Sequence, residues 1–341
     1  MKIGQLLFLG RSLTDENMAF LAQLGGHYLS VSPRQIGKES PKAQRPFVSN
    51  LIRDDYFRID DLISLKKWVE THGLELFAMT VKIAAAITLG KPERDQLIEN
   101  YCTSLRNMGK AGIYNANLSW NINGPGWAPF CRTSVEATGR GGSRMLKFDY
   151  DVAKQAPVTE LGEVTEEAMW DSLTYFLKAV IPVAEEAHVK IGMHPADPPV
   201  PSLAGIARII RSVKSYDRLF EVVPSEYNTM LFCLGCFSQM LEPEDVYAAI
   251  RDFGGRGKIS HVHFRNVRGN LEKFDEVYPD EGKLDMLKTI KILKEVGYKG
   301  PIVPDIHPLP ADHMIADAEY GNIGFHIGYI KGLLQAADAL D

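Results

Sequence analysis

The chain has 341 residues, 45% of them hydrophobic and 24% charged, with a formal net charge of -5 at pH 7. That balance is that of an ordinary soluble globular protein, and the scattered basic residues exclude the electrostatic footprint of a nucleic-acid or anionic-membrane partner. Four cysteines, Cys102, Cys131, Cys233 and Cys236, are too few and too dispersed for a disulfide scaffold, and no apolar run reaches the roughly 18 residues of a membrane span.

In chain order, the N-terminal M-K-I-G-Q-L-L-F-L-G is a short apolar run without a signal-peptide core, so a cytoplasmic location is expected. It is the first of eight β-type runs: Ile3–Leu9, Tyr28–Ser32, Leu74–Val81, Tyr114–Trp120, Lys190–His194, Tyr227–Cys233, Ile259–Phe264 and Pro301–Asp305. Their continuous apolar character suits strands buried on both faces, as in a parallel sheet. Between them lie helical periods. Asp95–Ala111 puts Leu97, Ile98, Tyr101, Leu105 and Met108 on one face before Gly112. Thr165 can cap a helix that opens with Glu166 and Glu167, and Pro182 should bend that helix or end its regular part. Leu284, Leu287, Ile290, Leu293 and Val296 repeat likewise before Gly297.

Strand and helix alternating through eight strands predicts an α/β fold, a (β/α)8 TIM barrel in one domain over residues 1–341. Neither G-x-G-x-x-G after the first strand nor G-x-x-x-x-G-K-[ST] is present, which counts against a nucleotide-binding sheet. Two segments fit neither period, Pro33–Phe57 and Asn121–Lys147. Both follow strand ends and are expected as active-site loops, the second with Trp127 and Arg132.

Four polar residues end four consecutive strands: His194, Cys233, His263 and Asp305. Adjacent strand ends converge on one mouth of a barrel, so these side chains can meet. Two imidazoles, a thiolate and a carboxylate form a mixed set suited to a divalent transition metal. Singly, each residue has an ordinary reading: a hydrogen-bonded histidine, an inert buried thiol, a turn-capping aspartate. Their recurrence in one register on four strands is what carries the metal reading. Cys233 and Cys236 also form a C-x-x-C, but a structural zinc would want a second pair, and none is seen. His261 faces the same side as His263 and is expected deeper in the strand, as a core or supporting partner.

Several segments resemble the mannonate dehydratase family, whose barrel is related to that of xylose isomerase. Glu93–Ile113 is similar to its helix before strand four. C-R-T-S (Cys131–Ser134), L-K-F-D-Y (Leu146–Tyr150), H-P-A-D-P-P, C-x-G, V-H-F-R, P-D and E-Y-G-N-I-G (Glu319–Gly324) follow in family order. The resemblance puts the metal ligands on the same four residues. It implies Mn2+, with Fe2+ or another transition ion accommodated, and conversion of D-mannonate to 2-keto-3-deoxy-D-gluconate in hexuronate breakdown. It implies Tyr320 for proton transfer and Arg132 and Arg265 for a substrate carboxylate; Trp120, at the end of the fourth strand, is expected as a further substrate-binding residue. A homo-oligomer acting on a small sugar acid or sugar is expected.

Three departures stand out. The histidine that follows the metal-binding aspartate in the family is here Ile306, with His307 one place later, so its role is either moved to His307 or lost. The arginine five places after the tyrosine is Phe325, and Ser119–Gly124 replaces the family's segment after strand four. A metal-dependent sugar isomerase or epimerase on the same barrel is therefore the alternative, and a non-catalytic sugar-binding protein a third.

Overall fold

The structure is a computed structural model that describes residues 1–9, 12–33, 45–122, 131–309 and 318–340. Eight parallel strands close into a barrel: β1 (Lys2–Phe8), β2 (Tyr28–Ser32), β3 (Glu75–Thr80), β4 (Asn115–Ser119), β5 (Lys190–His194), β6 (Asn228–Cys233), β7 (Ile259–Phe264) and β8 (Pro301–Pro304). Neighbours follow chain order, and β8 closes the ring between β7 and β1. Each of the eight apolar runs supplies one strand. All six residues of β6 and of β7 are buried, as strands covered by helices outside and side chains inside must be.

The helices form where the periodicity put them. Thr165 accepts a hydrogen bond from the Ala168 N–H and starts the helix Glu166–Ala187, which buries Met169, Leu173, Phe176, Leu177 and Val180. Pro182 does not end this helix, which runs on to Ala187. The helix Arg94–Lys110 buries Ile98, Tyr101, Leu105 and Met108, and Gly112 takes φ +72 just beyond it, a value that costs glycine little. Each large apolar side chain so buried contributes about 1.5–3 kcal/mol relative to exposure.

The described parts of the two expected loops are more ordered than their composition suggested. The described part of Pro33–Phe57 holds a helix, Pro46–Arg53, with proline in its first turn and Val48 and Leu51 buried. In Asn121–Lys147, residues 123–130 with Trp127 lie outside the described residues. The remainder is not a lid-like loop. Ser134–Thr138 and Arg144–Asp149 pair antiparallel and join Lys273–Glu276 and Val267–Gly269 in a four-stranded sheet. The glycines that read as a loop make its tight connection, with Gly141 at φ +62 and Gly142 at φ +80. Arg144 bridges Leu309, which ties this sheet to the segment after β8.

Candidate metal centre at the barrel mouth

Register brings the four strand-end residues level. His194 lies opposite Ser119 of β4, Cys233 opposite His263, and His263 opposite Val303 of β8. The β6–β7 pairing skips one residue: Met230 faces Ile259, but Leu231 faces His261. Ser260 is the residue passed over, and its hydroxyl donates to the Met230 carbonyl at 2.8 Å.

One donor atom from each of His194, Cys233, His263 and Asp305 lies within 4.8 Å of the others. Cys233 Sγ is 3.6 Å from Asp305 Oδ2, and His263 Nδ1 is 3.4 Å from the same oxygen. His194 Nδ1 lies 2.7 Å from the Pro195 carbonyl, which leaves Nε2 as its free ligand atom. Such separations fit donors around one ion, each about 2.0–2.3 Å from it. The set has a further mark of an ion site: His263 Nδ1 is buried without a properly formed hydrogen bond.

Charge is concentrated here. Burial would push the Cys233 thiol up, but the Cys236 thiol, the Arg265 guanidinium and the imidazoles of His194 and His263 outweigh it and hold Cys233 well below the usual thiol range. Burial is likewise overcome at Asp305, where His263, Arg265 and His194 hold the carboxyl far down. His263 moves up to about 10: burial opposes the charged ring, and Asp305 and Cys233 more than compensate. His261, fully buried, goes the other way through burial and its two neighbouring imidazoles. Its ring meets Phe77 edge-on at 6.0 Å and stands 5.6 Å from His263, below the donor layer.

Beside the donors lies a cluster that the sequence reading did not anticipate. Arg265 donates from Nε and Nη2 to Glu276 at 2.8 and 2.6 Å, and from Nη1 to Asp197 at 2.9 Å. Arg132 reaches the same two carboxylates, 3.0 Å from Nε to Glu276 and 3.0 Å from Nη2 to Asp197. Arg265 and Glu276 are wholly buried. The two guanidinium groups hold Asp197 well below the carboxylate range, although burial acts against them. Arg132 and Arg265, expected to grip a substrate carboxylate, are thus turned onto protein carboxylates. Gly235 makes room for this, since a Cβ there would stand 2.6 Å from Arg265 Nε.

The remaining expected residues divide. Trp120 does not face the site. It is 2% exposed, its indole N–H donates to the Met169 carbonyl at 3.3 Å, and it packs on Phe176 between barrel and helix. Ser119, one residue earlier, pairs with His194, and strand alternation sends Trp120 outward. His307 follows Asp305 by two residues; its Nδ1 is 3.0 Å from the Pro308 carbonyl and its ring lies against His326. Tyr320 falls in the first turn of the last helix, Ala318–Ala339, and its side chain lies outside the described residues. Asp197 was within reach of the sequence, inside H-P-A-D-P-P; Glu276 carried no such signal.

Comparison with known proteins gives one consistent result. The family model described as D-mannonate dehydratase (UxuA) matches residues 53–162 and 153–341. The mannonate dehydratase of Oceanobacillus iheyensis is 32% identical over 327 residues, covering 84% of this chain and 88% of that protein. That of Enterococcus faecalis is 33% identical, covering 85% and 89%. The crystal structure of mannonate dehydratase from Streptococcus suis serotype 2 superposes with a TM-score of 0.82 at 26% identity, over 99% of this chain and 93% of that one. A D-psicose 3-epimerase from Clostridium cellulolyticum H10 shares the fold, with a TM-score of 0.63 at 14% identity over 98% and 99%.

Proposed function

The chain belongs to the D-mannonate dehydratase family, and we propose that it removes water from D-mannonate or a close sugar acid to give 2-keto-3-deoxy-D-gluconate or its counterpart. The observation that carries this reading is the convergence of His194, Cys233, His263 and Asp305 within 4.8 Å. These four would hold a divalent ion, Mn2+ in the first instance, with Fe2+ or another transition ion also suited to nitrogen, sulfur and oxygen donors. When bound, the ion acts as a Lewis acid toward the negative charge that builds beside the substrate carboxylate.

The chain's own residues manage the protons. The proton on C2 is weakly acidic and needs a base; the C3 hydroxyl leaves as water and needs an acid. We assign these transfers to His307 and Tyr320. His307 has Nδ1 against the Pro308 carbonyl, so Nε2 is its exchangeable atom. The enol that results becomes the 2-keto acid when C3 takes up a proton. Cys102, Cys131, Cys233 and Cys236 form no disulfide, which suits a reducing compartment and is in keeping with hexuronate breakdown in the cytoplasm.

One observation favours a second reading, a metal-dependent isomerase or epimerase of a neutral sugar: both Arg132 and Arg265 are already neutralised by Asp197 and Glu276. A single assay separates the two. Metal-loaded protein is offered D-mannonate, other sugar acids and neutral sugars, and keto-deoxy acid and ketose are both measured. Keto-deoxy acid from a sugar acid is the expected product. Its absence, with ketose or epimer formed from a neutral sugar, would replace the dehydratase by the second reading.

A further inference from the structure

Arg132, Arg265, Asp197 and Glu276 form a buried unit of two cations and two anions. Burial of such a group costs desolvation that its own pairing roughly offsets, so stability alone is a weak reason for it. One member also touches the metal ligands. Arg265 Nη1 stands 3.6 Å from Cys233 Sγ and 3.5 Å from Asp305 Oδ2, and 3.8 Å from Cys236 Sγ. Arg132 binds the same two carboxylates, and it turns its remaining contacts to the Cys131 carbonyl and the face of Phe274.

The geometry points to Arg265 as a positioning residue of the metal centre: gripped by Glu276 and Asp197, it fixes Cys233 and Asp305 in facing positions before the ion arrives. Sulfur and carboxylate oxygen lie 3.6 Å apart. Two anionic donors so close repel each other, and the repulsion is strongest where water is excluded. A guanidinium nitrogen nearly equidistant from both offsets that repulsion without moving either. Only arginine can do this here. Its planar fork spends Nε and Nη2 on Glu276 and still aims Nη1 at the donors, whereas the single ammonium of lysine cannot do both. The unit is neutral in itself, so the negative charge of Cys233 and Asp305 is left for a dication. This inference rests on the metal-centre reading but is independent of which sugar the enzyme uses.

The test uses the full chain stripped of metal and titrated with Co2+, whose sulfur-to-cobalt charge-transfer absorption reports Cys233 on the ion, with thermal melting to monitor the fold. Arg265→Lys should weaken Co2+ binding about 10- to 100-fold, the usual loss for a residue that orients ligands, and diminish the sulfur band per bound ion. Arg132→Lys, which disturbs the same carboxylates, should stay near wild type in both. Wild-type affinity and band in Arg265→Lys, or equal losses in the two variants, would overturn the proposal. Should Arg265→Lys not fold, the double variant Arg265→Gln/Glu276→Gln, which keeps the cluster neutral, is read by the same criteria; failure of both to fold would assign Arg265 to stability and overturn it too. None of these readouts involves a sugar acid, so a failed dehydratase assay would leave them intact.

Discussion

The imidazole of His307 lies against that of His326, with ring centroids 4.7 Å apart and planes inclined by 38°. His326 is 3% exposed, donates from Nδ1 to the Asn322 carbonyl at 2.7 Å, and packs against Tyr278 and Phe325. Burial first, and the charge of His307 second, bring His326 down to about 4, against slight upward pulls from the Asn322 carbonyl and Asp280; Arg140 pairs with Asp280 and lies over Tyr278. An unfolded histidine takes up its proton near pH 6.5, before the folded one does. Stability from this group is therefore complete above pH 6.5 and is lost as pH falls toward 4, by up to about 3 kcal/mol. Urea unfolding of His326→Phe between pH 7 and 4.5 should show a flatter acid limb than wild type. Parallel limbs would refute the assignment.

His307→Ala should keep its metal and slow turnover about 10²- to 10⁴-fold, the range for loss of a proton-transferring side chain. Elemental analysis and kcat for the same preparation give both numbers. A wild-type rate with full metal would remove His307 from the chemistry.

His263→Ala and Asp305→Ala should each abolish stable metal uptake. Each deletes one of four donors, and Asp305 Oδ2 is also the atom that both His263 and Cys233 approach. Full metal content in both purified variants would sink the site.

Trp120→Ala should cost about 3–5 kcal/mol of folding stability, as expected when a large aromatic leaves a packed core, and Trp120→Phe should recover most of it. Substrate KM in the folded fraction should not move. A raised KM with unchanged denaturation midpoint would instead return Trp120 to the substrate pocket.

What could be read from the sequence follows from range. Strand periods and the polar residues that end strands are local patterns, so His194, Cys233, His263 and Asp305 could be picked out before any coordinates. Trp120 was misassigned although the information was local: Asn115, Asn117 and Ser119 share a strand face, and Trp120 is on the other. The charged cluster was beyond reach for a different reason. Arg132 and Glu276 are 144 residues apart, and nothing near either one announces its partner. Arg132 looked like an available cation because the carboxylates that consume its charge enter from β7's following hairpin and from the turn after β5.

The skipped residue between β6 and β7 makes the centre depend on chain length as well as on chemistry. Counted straight through from Met230 and Ile259, Cys233 would come level with Val262; with Ser260 passed over, it comes level with His263. Deleting Ser260 itself would make the pairing regular and leave Cys233 level with His263, but deleting Leu231 would bring Cys233 level with Val262. Because a shift of one position reverses which side chains face inward, that would keep all four donors in the sequence and separate them in space. In this fold a substitution can dim the site, but a single-residue deletion lower in β6 would dissolve it.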